Sequence, residues 1–158
     1  MPIDSIGATG AVVARNISRL RRDQGLAYTE LSKRLSELGR PIPTLGLRKI
    51  ESGGRRVDVD DVIALSLALA VSPITLFMPY PLDDAGELLD VPGVREPQEA
   101  SRLWSWLRAD DWLIEADDLH DWVSFARSAL PRWVLRDVAD YMKQELDERR
   151  RDRRGNDQ

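Results

Sequence analysis

Three groups of residues in this 158-residue chain have types and spacing that could do chemistry. The first is a run of cations. Between Arg15 and Arg56 stand eleven Lys and Arg against four acids, a local surplus of seven positive charges in a chain whose net charge is −4. Cations at that density displace counterions from closely spaced phosphates and give salt-sensitive affinity for a polyanion. The second group is acidic: Asp110, Asp111, Glu115, Asp117, Asp118 and Asp121 surround His120, the only histidine in the sequence. Carboxylates beside an imidazole are the raw material of acid/base or metal chemistry. A structural use accounts for them better, because Asp117 or Asp118 stands where a helix cap belongs before Leu119, and Asp121 suits a first helical turn. The third group is Trp104, Trp106, Trp112, Trp122 and Trp133, side chains that anchor either a small core or an interface.

Several chemistries are ruled out by composition. With no Cys and one His, disulfides, thiolate metal sites and cysteine nucleophiles are excluded, and His-based zinc sites lack a second imidazole. No GxxxxGK[ST] phosphate loop occurs. No enzymatic activity, cofactor or metal is expected. The opening MPIDSIGATG has neither the basic nor the apolar region of an export signal, which predicts a cytoplasmic address. Val62 to Leu82 carries no charge, yet Ser72-Pro73 divides it and acids flank it where basic anchors would be expected, so it reads as two buried helices and no membrane is a partner.

Charge also divides the chain. Pro81 to Glu148 holds seven basic and seventeen acidic residues, and the last ten, RRRDRRGNDQ, hold five Arg against two Asp. A basic module, an acidic module and a basic tail are therefore expected.

Helical spacing recurs throughout the basic module. Thr9 is placed to cap a first helix with Val13, Ile17 and Leu20 facing inward and Gly25 ending it. Leu31, Leu35 and Leu38 mark a second helix, stopped by Gly39, Pro41 and Pro43. A third, about Thr44 to Ser52, buries Leu47 and Ile50 and ends at Gly53-Gly54. Asp58 caps a fourth, with Asp61 three positions on and Val62, Leu65, Ala68 and Leu69 inward. Ser72-Pro73 opens a brief fifth to Phe77. Residues 79–97 are proline-rich and acidic, as a linker would be, with Leu88 to Val94 allowing a short extended segment. Three more helices are expected over 98–146: Ala100, Leu103, Trp104 and Leu107 on one stripe; Leu119, Trp122, Val123 and Ala126 on the next; and Leu135, Val138, Met142 and Leu146 on the last. Residues 147–158 have the composition of a disordered tail.

The order Leu20-Arg21, Gly25-Leu26, Glu30-Leu31, Leu35, Ile50-Glu51-Ser52-Gly53, Val59 to Ala70 and Val71-Ser72-Pro73 resembles the helix-turn-helix domain of the phage-repressor and Cro-like regulators, the XRE family, over about Thr9 to Met78. That resemblance implies a five-helix repressor-like DNA-binding domain; with the Pro-rich linker and the smaller helical C-terminal domain read from the residues beyond it, the expected fold is all-α. It implies that the exposed positions of the third helix, Thr44, Leu45, Arg48 and Lys49, meet base edges in the major groove. It also assigns Tyr28, Thr29 and Ser52 to phosphates, while Arg40, Arg55 and Arg56, in loops beside that helix, are expected to reach the DNA backbone. Arg21 and Glu51 match an internal salt bridge between the first and third helices. Two features depart from the family. Ser36 to Pro43, SELGRPIP, is longer than the usual turn, so either the second helix runs further or the turn is expanded. Ala27 also replaces the usual Ser or Thr cap, leaving Thr29 or neighbouring backbone to take over.

The expected function is that of a sequence-specific transcriptional regulator, a repressor acting as a homodimer on double-stranded operator DNA. A helical unit of about 50 residues buries little surface alone, so dimerisation is the preferred role of the acidic half. Its alternatives are a self-contained subdomain and a face for a basic partner. A different function class is a protein-interaction module, antitoxin-like or an adaptor, working through that acidic, Trp-rich half.

Overall fold

Val13, Ile17 and Leu20 fall on one face of α1 (Ala8–Asp23), and all three are buried. The computed structural model describes residues 6–82, 84–114 and 122–137. Within them the chain is mostly helical, with one two-stranded sheet. It divides into two units, Met1–Trp104 and Ser105–Gln158, the boundary falling inside a helix and not in the proline-rich stretch.

Among the described residues of the first unit, five helices surround one core. Besides α1 these are α2 (Tyr28–Glu37), α3 (Thr44–Glu51), α4 (Val59–Ala68) and α5 (Pro73–Phe77). α1 packs on α3 and α5, α2 on α3 and α4, and α4 on α5. Ile17, Leu31, Leu35, Leu47, Ile50, Leu65, Leu69 and Leu76 are fully buried where these faces converge. Asn16 is buried among them, and its Nδ2 donates to the carbonyls of Leu76 at 3.1 Å and Met78 at 2.6 Å, tying α5 to α1. A buried amide needs such partners.

Side chains cap two of these five N-termini, those of α4 and α5. Asp58 caps α4, its carboxylate accepting from the Asp61 N–H at 2.7 Å, and Ser72 caps α5. Thr9, expected as the first cap, lies inside the helix; extended Gly7 is the N-cap, and its carbonyl accepts from the Ala11 N–H at 2.9 Å. Neither Thr29 nor any other side chain caps α2, and the Ala27 carbonyl simply accepts from the Glu30 and Leu31 N–H groups. At the C-termini, α1, α2 and α3 close on Gly25, Gly39 and Gly53, all in the left-handed region. α4 closes the same way on Ala70, at φ 53°, with the Val71 N–H on the Ser66 carbonyl at 2.9 Å.

That alanine makes a prediction. A left-handed non-glycine residue costs about 1 to 2 kcal/mol, whereas glycine adds about 0.4 to 1 kcal/mol of unfolded-chain freedom. Ala70 is exposed, so its methyl has little packing to lose. Ala70→Gly is therefore expected to raise stability by about 0.5 to 1 kcal/mol, seen as a higher urea midpoint with an unchanged slope.

Expected extended structure in the 79–97 stretch is present as β1 (Leu88–Leu89), which pairs antiparallel with β2 (Gln98–Glu99), Leu88 opposite Glu99. α6 (Ala100–Leu107) follows directly, anchored by the Ala100 N–H on the Glu87 carbonyl at 2.8 Å, with Ala100 and Leu103 buried. In the second unit α7 (Trp122–Ala129) precedes a helical stretch at 132–137. Leu113 and Ala126 are buried there, and Trp112 meets Phe125 edge-on, centroids 6.5 Å apart. Leu119, His120 with Glu115, Asp117, Asp118 and Asp121, the Val138–Leu146 stripe and the basic tail lie outside the described residues. Among the described residues no helix is long and apolar enough to cross a membrane.

Candidate nucleic-acid interface

Two residues of α3 set its orientation. Leu47 and Ile50 have no exposed surface, which turns the opposite side of this eight-residue helix outward. Leu45, Arg48, Lys49 and Ser52 lie on that outward side at helical spacing and are exposed, while Thr44 is half-buried. Arg48 and Lys49 have no carboxylate within ion-pair distance among the described residues, in contrast to most cations around them.

Arg48 has a platform. Its guanidinium lies 4.5 Å from the ring centroid of Tyr28, at the start of α2, and the Arg21 guanidinium lies 3.9 Å from the same centroid. Rings attract cations in this way through their quadrupole. Arg21 and Glu51, expected to pair, form a bidentate contact from Nε at 2.6 Å and Nη2 at 3.0 Å. The Tyr28 hydroxyl donates to Glu51 Oε2 at 2.8 Å, so its one proton is committed and a phosphate would have to displace Glu51 to receive it. Burial would push the Glu51 carboxyl up; hydrogen bonds from Arg21, Tyr28 and Ser18, with the Arg21 charge, outweigh it and hold the carboxyl below its usual range. A connected chain, Arg21 to Glu51 to Tyr28 to Arg48, thus runs from the core to the outward face.

Of the stretch Ser36 to Pro43, Ser36 and Glu37 belong to α2 and residues 38–43 form the connection to α3. It is anchored at both ends: the Arg40 N–H reaches the Leu35 carbonyl at 2.9 Å and the Ser32 hydroxyl donates to the Ile42 carbonyl at 2.7 Å. Ile42, between two prolines, is buried. Gly46 makes room for it, since a Cβ there would sit 3.1 Å from both Ile42 Cγ2 and Arg55 Nη1.

Arg40 and Arg55 turn inward onto carboxylates. Asp61 is only 1% exposed, and accepts from Arg40 Nε at 3.0 Å and from Arg55 Nη2 at 2.9 Å. Arg40 also holds Asp58 at 2.6 Å and Asp60 at 3.7 Å. The Asp61 hydrogen bond, against opposing burial, raises the hold of Arg40 on its proton. Both arginines are thereby fixed as braces between the connection, α4 and the loop after α3. Arg55 and Arg56, with Ile6, Gly7, Gly10 and Val57, also line an open cleft of about 420 Å³ beside the start of α1. Thr29, Ser52 and Arg56 are exposed, and the Ser52 hydroxyl donates to the Lys49 carbonyl at 3.2 Å.

In the sequence Asp61 stands only as an acid in the first turn of α4; the fold makes it the buried acceptor for two arginines. A signal for it existed: Asp61, Leu65 and Ala68 share one face at i, i+4 and i+7, and the other two are apolar, so an acid there has to find cations. No family model matches this chain, and no curated protein or solved structure is found to be similar to it.

Proposed function

We propose that this chain is a sequence-specific DNA-binding regulator, a repressor that binds operator DNA as a dimer with α3 in the major groove. The observation that carries the reading is the outward face of α3. Leu45, Arg48 and Lys49 stand on a helix fixed from behind by Leu47 and Ile50, with the two cations exposed and Arg48 resting on Tyr28. Long donors on a short helix suit guanine O6 and N7, and Leu45 and Thr44 suit a thymine methyl. Arg56, Thr29 and Ser52 take the flanking phosphates by virtue of their exposure, and Tyr28, Arg40 and Arg55 serve as positioning residues through their contacts with Glu51 and Asp61. The five-helix, repressor-like layout of the first unit is part of the same proposal.

Selection of binding sites from random duplexes, followed by titration at several salt concentrations, tests it. Arg48→Ala and Lys49→Ala are each expected to cost about 1 to 3 kcal/mol on the selected site and much less on random duplex. Arg56→Ala should weaken both alike and flatten the salt dependence by about one unit. Half-site centres should lie about 10 bp apart or at a multiple of that. No binding at low salt, or equal losses on all duplexes for every variant, would refute the reading. The second reading, a protein-interaction module, is favoured by Trp106, Ile114 and Trp133 in the second unit, all of which are exposed. Normal partner binding by a chain indifferent to DNA would select it.

A further inference from the structure

Leu45 and Arg48 stand three positions apart on the outward face of α3, one apolar and the other cationic, and Leu45 is 63% exposed. Side chains at that spacing are neighbours on a helix, their Cβ atoms about 5 to 6 Å apart. Three residues also advance about 4.5 Å along the helix axis, which is nearer to one duplex step of about 3.4 Å than to none or to two. Arg48 is held in place as well. Its guanidinium lies 4.5 Å from the Tyr28 ring centroid, the Tyr28 hydroxyl is bound to Glu51 at 2.8 Å, and Arg21 grips Glu51 through two bonds. Guanidinium donors lie in one plane, and a ring contact commits none of them to a lone pair, so a two-pronged edge stays available for guanine O6 and N7.

We infer that, with α3 in the major groove as the DNA-binding reading has it, Leu45 and Arg48 jointly read one step of the duplex: a guanine under Arg48 and, at the neighbouring base pair, a pyrimidine carrying a methyl group on C5. Thymine always carries that methyl, and cytosine carries it only once methylated. The chain therefore distinguishes methylated from unmethylated cytosine beside guanine. The two contacts reinforce each other, because Leu45 against the methyl and the Tyr28 ring against the guanidinium keep water from the bidentate contact, and a hydrogen bond shielded from water is the stronger one. Thr44, half-buried at the start of the helix, has less surface to offer a methyl than Leu45.

Titration of the full chain against its selected duplex, altered a few atoms at a time, tests this. Deoxyuridine in place of the thymine removes only the methyl and should weaken the wild type about fourfold, the worth of one buried methyl group. Deazaguanine lacking N7 in place of the guanine should weaken it at least about fivefold. Leu45→Ala should be indifferent to the first change and Arg48→Ala to the second. With cytosine in place of the thymine and guanine opposite, binding should be weak and should rise about fourfold when that cytosine is methylated on C5. Equal affinity for methylated and unmethylated cytosine would overturn the joint reading of the step, as would a deoxyuridine penalty that survives in Leu45→Ala or a wild type indifferent to the loss of N7. Those results leave DNA binding itself standing. A chain that selects no site refutes the DNA-binding reading, and the joint reading of the step with it.

Discussion

Alanine in place of Glu51 is expected to lower the stability of the first unit by about 3 to 5 kcal/mol, the cost of stranding one member of a buried ion pair. The reason is geometric. Glu51 and Arg21 have 5% and 10% of their side chains exposed, so the arginine left behind cannot recover in water what it loses in the bidentate contact. Its remaining partners, the Leu26 carbonyl at 3.0 Å from Nη1 and the Tyr28 ring at 3.9 Å, are neutral and do not replace the lost carboxylate charge. Glu51→Gln keeps shape and acceptor while removing the charge, and its smaller cost should depend on pH. Because the folded carboxyl sits below its ordinary value, its contribution is fully present above the ordinary carboxylate range and is lost as pH falls through the lowered folded value. The gap between wild type and Glu51→Gln in urea unfolding should accordingly be widest near neutrality and close as the solution is made strongly acidic. A gap that stayed constant would show that the charge of Glu51 contributes nothing. Glu51→Ala also loosens Tyr28 and with it the platform of Arg48, so specific DNA affinity should fall further than random-duplex affinity.

Local chemistry was legible where the rule is local. Val13, Ile17 and Leu20, or Leu47 and Ile50, declare a helix and its inward face by spacing alone, and Asp58 and Ser72 declare caps because the acceptor lies within the next turn. Ile42 was hidden for the opposite reason: between Pro41 and Pro43 it has no periodicity, and only the fold carries it inward. Leu38 misled in the other direction, since helical spacing continued past the point where α2 ends. Among the site residues, the exposure of Arg48 and Lys49 followed from the burial of their neighbours. The engagement of Arg40 and Arg55 did not, because their partner Asp61 is 21 and 6 residues away and pairing across a fold has no signature in charge counting. A surplus of cations in a segment measures what folding can draw on. What remains for a ligand is set by the carboxylates that fold against it.

That distinction leads to the second large effect. Asp61→Ala is expected to cost about 3 kcal/mol, the loss of two charge-assisted hydrogen bonds at the low end of their range, about 1.5 kcal/mol each, because the two guanidinium groups keep access to water once released. Arg40 and Arg55 are 39% and 35% exposed, unlike Arg21, which is why this cost should stay below that of Glu51→Ala although Asp61 is the more buried acid. Stability and DNA binding should then move in opposite directions. Arg55, freed from Asp61, can neutralise a phosphate, whereas Arg40 keeps its contact with Asp58 at 2.6 Å, so at temperatures where the variant remains folded its affinity for random duplex should rise and its salt dependence steepen by about one unit. Preference for the selected site should shrink, because the connection that seats Ile42 against Gly46 of α3 has lost its brace. Asp61→Asn, which retains an acceptor without the charge, should show the same salt effect with a smaller loss of stability. An unchanged salt slope in both variants would mean that Arg55, once released, does not reach the duplex and serves the fold alone.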